Sequence, residues 1–259
     1  MSEKVFRNKF KERMKAGEQF SACWMQLASP LAAEILAEAG YDLVIADCEH
    51  APISPETLYP LFQAIQAYDC MPMARAPWND LVAIKRILDV GSLGIHIPYV
   101  RTVEECRAAV AACKYPPLGI RGIAASPRAV GFGQNREEYL QNANEAILTM
   151  AAIETLDGAA VVEEMCEIEE LDGIFIGPMD LSTNMGYFAQ PLHEKVQEKI
   201  REIEKIVLAR GKLLGTTSAN SETAKALYDR GYSYVIFGGD STDLMKYAKK
   251  NVEGFKSYR

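Results

Sequence analysis

The run YDLVIADCEH, residues 41–50, carries four consecutive apolar residues, Leu43 to Ala46, and closes on Asp47, Glu49 and His50. A short apolar run without polar alternation is expected to be a strand buried on both faces, the form found in parallel sheets. Seven more runs of this kind lie on either side of it. They are SACWMQL from Ser21, MPMARA from Met71, LGIHIPYV from Leu93, LTMAAIET from Leu148, LDGIFIGP from Leu171, KLLGTTS from Lys212 and YSYVIFGG from Tyr232. Each is bounded by Gly, Pro, Asp or Asn, the residues that end strands.

The segments between these runs have helical patterning. SPLAAEILAEAG from Ser29 sets Leu31, Ile35 and Leu36 on one face and stops at Gly40. TVEECRAAVAACK opens on Thr102 as N-cap, with Glu105 as its capping-box partner. EKVQEKIREIEKIVLARG from Glu194 repeats Val196, Ile200, Ile203 and Val207, and SETAKALYDRG runs from a Ser221 cap to Gly231. Alternating strands and helices predict an α/β protein, a (β/α)8 TIM barrel, with residues 1–259 as one domain. An open doubly wound sheet shares the local signals, but its glycine-rich nucleotide turn is missing. One connection is long: from Tyr115 to about Asn142 the chain carries Gly119, Arg121, Gly122, Arg128, Gly131 and Gly133. Loops of this length are commonly functional, and this one is expected to reach an active site, its own or a neighbour's.

A net charge of −7 argues against general binding to nucleic acid or to an anionic membrane surface. The six cysteines form no CxxC pair, and the charged opening MSEKVFRNKFKERMKAGEQF lacks the apolar core of a signal peptide. A cytoplasmic protein with reduced thiols is the expectation.

Catalytic groups of such a barrel sit at the C-terminal ends of its strands. There the sequence places Asp47, Glu49, His50, Arg75, Glu154 and Asp180. Glu154 and Asp180 are oxygen ligands suited to a divalent ion such as Mg2+, Mn2+ or Co2+, although a helix cap and a salt-bridge partner account for each acid taken alone. His50 is placed to act as a base near neutral pH, or to make a structural hydrogen bond. Arg75 reads equally as an electrostatic clamp and as a barrel-mouth ion pair. His96 is expected inside the barrel and His193 at a solvent-exposed helix start. Asp89 ends a helix at the unfavourable pole of its dipole, so it is expected to have a partner, with His50 one candidate. No lysine ends a catalytic strand, which disfavours Schiff-base chemistry.

The stretches DCEHAPIS at Asp47, ARAPWNDLVAIKRILDVG at Ala74, GIHIPYV at Gly94, GIRGIAASPRA at Gly119, IET at Ile153 and IFIGPMDLS at Ile174 together resemble the HpcH/HpaI family of class II pyruvate aldolases. The resemblance spans nearly the whole chain. It implies a barrel of the phosphoenolpyruvate/pyruvate-binding type whose last helix is exchanged between subunits, usually of a hexamer. It implies a metal-dependent carbon–carbon lyase that cleaves a 4-hydroxy-2-oxo acid to pyruvate and an aldehyde. Glu154 and Asp180 would hold the divalent ion, and Arg75 would stabilise the enolate oxygen. His50, oriented by Asp89, would move the aldol proton. The backbone around Met179 and Asp180 would hold the pyruvate carboxylate, and Trp24 would stand at the mouth. The loop near Arg128 is expected at the distal end of the substrate.

Three departures from the family pattern leave substrate choice open. Ala152 precedes Ile153-Glu154 where relatives have Gln, Met179 replaces a small residue, and Ser54 stands where an acid is frequent. A related decarboxylase or other lyase acting on 2-oxo acids, and a catalytically silent relative, are the alternatives.

Overall fold

The computed structural model describes residues 6–258. Eight strands, β1 (Phe20–Met25), β2 (Leu43–Asp47), β3 (Met71–Arg75), β4 (Gly94–Ile97), β5 (Leu148–Ile153), β6 (Gly173–Ile176), β7 (Leu213–Thr217) and β8 (Tyr234–Gly239), pair in chain order. All pairings are parallel, and β8 closes on β1. Every run expected to be a strand is one. The helices are α1 (Lys9–Lys15), α2 (Pro30–Glu38), α3 (Pro55–Ile65), α4 (Leu81–Asp89), α5 (Val103–Cys113) and α6 (Arg136–Ala146). They continue with α7 (Leu156–Ala160), α8 (Val162–Cys166), α9 (Pro178–Asn184), α10 (Glu194–Ala209), α11 (Ser221–Tyr228) and α12 (Asp240–Lys256). None of the described helices is long and apolar enough to cross a membrane.

The barrel interior is filled by side chains, among them Leu43, Ile45, Met71, Met73, Leu148, Met150, Phe175 and Tyr234. Large and small residues alternate: a Cβ on Gly215 would fall 2.3 Å from the Tyr234 ring, so only glycine admits that ring beside β7. Phe10 and Met14 of α1 belong to the same cluster and stopper the N-terminal mouth. Asn8 donates to the Leu93 and Ala146 carbonyls, and Lys11 bonds the buried Asp172 at 2.8 Å. A second, larger core lies between the strands and the surrounding helices.

The helix expectations need four adjustments. In α2 it is Ala33 and Ala37 that face the sheet, while Leu31 and Ile35 stay 71% and 68% exposed; small residues let the helix approach closely and turn its apolar stripe outward. The cap of α11 is Asn220, not Ser221, because the Asn220 amide oxygen accepts from Thr223 N and Thr223 Oγ1 reaches back to complete the capping box. Thr102 caps α5 as expected, but Glu105 reaches one residue further, to Arg101 N at 2.8 Å. His193, expected in solvent, is half-buried, its ring stacked on Tyr187 at 3.8 Å. Beyond Asp240, α12 leaves the barrel side and keeps its apolar residues, Leu244, Met245, Tyr247 and Val252, exposed.

Candidate active site

Because the strands are parallel and share a register, their last residues meet at one rim. Asp47 pairs with Arg75, and Arg75 with His96, on the neighbouring strands β2, β3 and β4. Arg75 donates from Nε to Asp47 Oδ1 at 3.0 Å, and its Nη2 makes an ion pair with Asp47 Oδ2 at 2.8 Å. Its guanidinium also lies 4.4 Å from the Trp24 ring, so a cation–π contact from β1 fixes its second face. Gln26 Nε2 and the amides of Glu49 and His50 complete the shell around the Asp47 carboxylate. Burial pushes Asp47 towards its neutral form, but the hydrogen bonds and charge of Arg75, with these other donors, outweigh it and hold the pKa below the ordinary value.

Three further carboxylates face this pair. Glu154 closes β5, almost fully buried, with Oε2 accepting from Tyr99 N at 2.8 Å. Burial raises its pKa to about 7; the Tyr99 amide opposes the shift, and the charges of Glu49 and Asp180 add to it. Glu49 is also raised by burial. Its Oε2 lies 3.2 Å from Arg75 Nη1, but the geometry is not that of a hydrogen bond, and the atom is buried without a donor. Asp180 projects, exposed, from the first turn of α9. The turn before it requires Gly177, since a Cβ there would fall 2.6 Å from Glu154 Cγ. Met179, half-exposed, lies in the same turn.

This donor set fits a divalent cation. An orphaned buried carboxylate oxygen and a carboxyl destabilised by two like charges are what a bound dication would satisfy. Among the described residues no group of three or more His, Cys, Asp or Glu side chains is arranged to hold a metal. A cation here would have Glu154 and Asp180 as its carboxylate ligands and would take its other positions from water and substrate.

His50 follows β2 at this rim, its ring largely exposed and 3.8 Å from Glu49. Trp24, half-buried near the end of β1, sets its ring against Arg75 and edge-on to Phe175. His96 is buried within the barrel, as the sequence suggested, with Nε2 hydrogen-bonded to the Tyr234 hydroxyl and its ring 4.5 Å from Phe175. Burial first, then the charge of Arg75, lowers its pKa to about 3, so it is neutral.

Two expected site residues lie elsewhere. Asp89 ends α4, the helix that returns to the N-terminal mouth, and its carboxylate bonds Arg121 at 2.7 Å instead of His50. A nine-residue helix separates the two ends, so within one chain Asp89 does not orient His50. Arg128 is also at the N-terminal mouth, donating to the Val90 carbonyl at 2.9 Å and to Gln66, the residues that follow α4 and α3. The long connection thus packs beneath the barrel, with Arg121 buried against Tyr115 and Tyr139. Conversely, Gln26 and Tyr99 join the site without having been singled out, and Asp47 and Glu49, noted at the end of their strand, join it without having been given a role. Their strand-end positions were the available signal for the two acids; Tyr99 contributes only a backbone amide, to which sequence is blind.

Residues 21–246 match the HpcH/HpaI aldolase/citrate lyase family. The chain is 38% identical to a 4-hydroxy-2-oxo-heptane-1,7-dioate aldolase of Salmonella dublin, over 94% of this chain and 92% of that one. In three dimensions it is similar to a HpcH/HpaI aldolase/citrate lyase family protein from Burkholderia cenocepacia J2315, with a TM-score of 0.92 and 28% identity, covering 96% and 99% of the two chains. It is also similar to the citrate synthase SbnG, with a TM-score of 0.86 and 27% identity, covering 96% and 97%.

Proposed function

The chain belongs to the HpcH/HpaI aldolase/citrate lyase family, and from that premise we propose that it reversibly cleaves a 4-hydroxy-2-oxo acid to pyruvate and an aldehyde with the help of a divalent cation. The observation that carries this reading is the Arg75–Asp47 pair set among Glu49, Glu154 and Asp180 at the C-terminal mouth. Glu154 and Asp180 hold the ion, which when bound supplies Lewis-acid polarisation of the 2-oxo group.

Everything else is work for the chain's own side chains. Breaking the bond between C3 and C4 leaves negative charge on the oxygen at C2, and Arg75 stabilises that charge from a seat that cannot rotate. Its orientation is set by Asp47 on one edge and Trp24 on one face. The first amides of α9, at Met179 and Asp180, have no carbonyl partner within the helix and receive the substrate carboxylate. His50, exposed at the rim, takes the proton of the C4 hydroxyl as the bond breaks.

The same proposal covers assembly and location. The exposed apolar residues of α12 and of α2 support packing of the last helix against another copy, giving a homo-oligomer. Six free, buried cysteines support a cytoplasmic protein acting as one domain over residues 1–259.

Likeness to a citrate synthase supports a second reading, a related decarboxylase or other lyase acting on 2-oxo acids. Pyruvate release coupled to lactate dehydrogenase, from a panel of 4-hydroxy-2-oxo acids and oxaloacetate with and without Mn2+, separates the two. Metal-dependent release from the hydroxy acids, lost in Asp180→Ala, is the expected result. Release from oxaloacetate alone, beyond the decarboxylation that Mn2+ causes without protein, favours the second reading, and release from neither leaves a catalytically silent relative.

A further inference from the structure

Two large aromatic side chains stand at the mouth without belonging to either core. Trp78 lies three residues beyond Arg75, in the connection from β3 to α4, and is 53% exposed. Tyr99 follows β4 and is 36% exposed. Their rings stack at 5.8 Å with 27° between the planes.

The backbone is arranged to hold this pair in place. Tyr99 has φ +56°, a left-handed conformation that a bulky residue adopts only against a steric cost. That conformation delivers its amide to Glu154 Oε2 at 2.8 Å and leaves its ring against Trp78. Asn79, next to Trp78, donates to the Glu105 carbonyl at 2.9 Å, so the connection after β3 is tied to α5 beyond Tyr99. Two loops that carry exposed rings are thus pinned beside a catalytic carboxylate.

Resting on the aldolase reading above, we propose that Trp78 and Tyr99 form the wall that receives the aldehyde half of the substrate, and that they select an uncharged aldehyde with a flat or apolar carbon skeleton. A fixed aromatic surface offers dispersion and ring stacking to such a skeleton at little conformational cost. Charge argues in the same direction. Arg101, the cation against the Tyr99 ring, is held by Glu105 through Nη2 at 2.7 Å. Arg75, the other guanidinium at this mouth, is already paired with Asp47 and lies beside Glu49.

The test uses the full chain with Mn2+ in the synthetic direction. Exchange of pyruvate methyl protons with deuterated solvent, followed by NMR in the parent, first reports on the aldolase reading. A parent that exchanges no proton sinks that reading, and the wall with it. With exchange present, kcat/KM is measured for benzaldehyde, glycolaldehyde and succinate semialdehyde as acceptors. Trp78→Ala removes one ring; Tyr99→Asn removes the other while keeping a residue that tolerates positive φ. In both, the benzaldehyde-to-glycolaldehyde ratio is expected to fall at least about tenfold, the scale of a lost apolar contact in a specificity pocket. Tyr99→Phe should keep the parental ratio. An unchanged ratio in Trp78→Ala and Tyr99→Asn overturns the proposal, even if all rates fall together. So does a parent that prefers succinate semialdehyde to benzaldehyde.

Discussion

Asp47 and Arg75 meet side by side, a hydrogen bond of 3.0 Å and an ion-pair contact of 2.8 Å joining the last residues of adjacent strands. Both are buried, so neither charge is stable without the other. Asp47→Ala should lower stability by about 3–5 kcal/mol, as expected when one partner of a buried ion pair is removed. It should also cut kcat for pyruvate formation by about a hundredfold or more, through misplacement of the guanidinium. Urea unfolding and steady-state kinetics on the same preparation measure both effects.

Glu154 gives the metal-free protein a defined pH dependence. Its folded pKa of about 7 lies above the usual 4.5, so the folded state binds the extra proton and stability declines as pH rises between those values. In EDTA, Glu154→Gln should abolish that decline and raise stability at pH 8 by up to about 3 kcal/mol. Urea midpoints from pH 5 to pH 8 decide it. A parent whose stability does not fall across that range contradicts the assignment.

Gly177 lies against Glu154, and an added methyl would sit 2.6 Å from Cγ and 2.7 Å from Oε1. Glu154 cannot yield without breaking its bond to the Tyr99 amide. Gly177→Ala is therefore expected to cost about 1–3 kcal/mol of stability and to weaken Mn2+ binding about tenfold or more, the scale seen when support around a metal ligand is lost. Thermal melts and calorimetric titration with Mn2+ are the measurements.

At the opposite mouth, Asp89 neutralises an Arg121 side chain that has no solvent exposure. Asp89→Ala leaves that charge buried against Tyr115 and Tyr139 and should destabilise the fold by about 3 kcal/mol or more. A change in urea midpoint too small to measure would show that the pair is unimportant.

The strands were legible because burial on both faces writes itself as uninterrupted apolar runs such as LVIA at residues 43–46. That Glu154 and Asp180 gather at one mouth was legible because strand ends in a barrel share one rim. Partnerships across the chain were not. Asp89 announced by its place at a helix terminus that it needed a cation, but its partner Arg121 lies 32 residues away in an irregular segment with no periodicity to locate it. Asp47 was visible at its strand end, but its pairing with Arg75 was not, because that comes from the register that sets β2 beside β3. The α2 stripe misled because Leu31 and Ile35 obey helical spacing while Ala33 and Ala37 win the closer approach to the sheet.

With Phe10 and Met14 at its floor and side chains filling its interior, the barrel offers a small molecule no passage from end to end. On the proposed reading, both halves of the substrate then share the C-terminal mouth for entry and for exit.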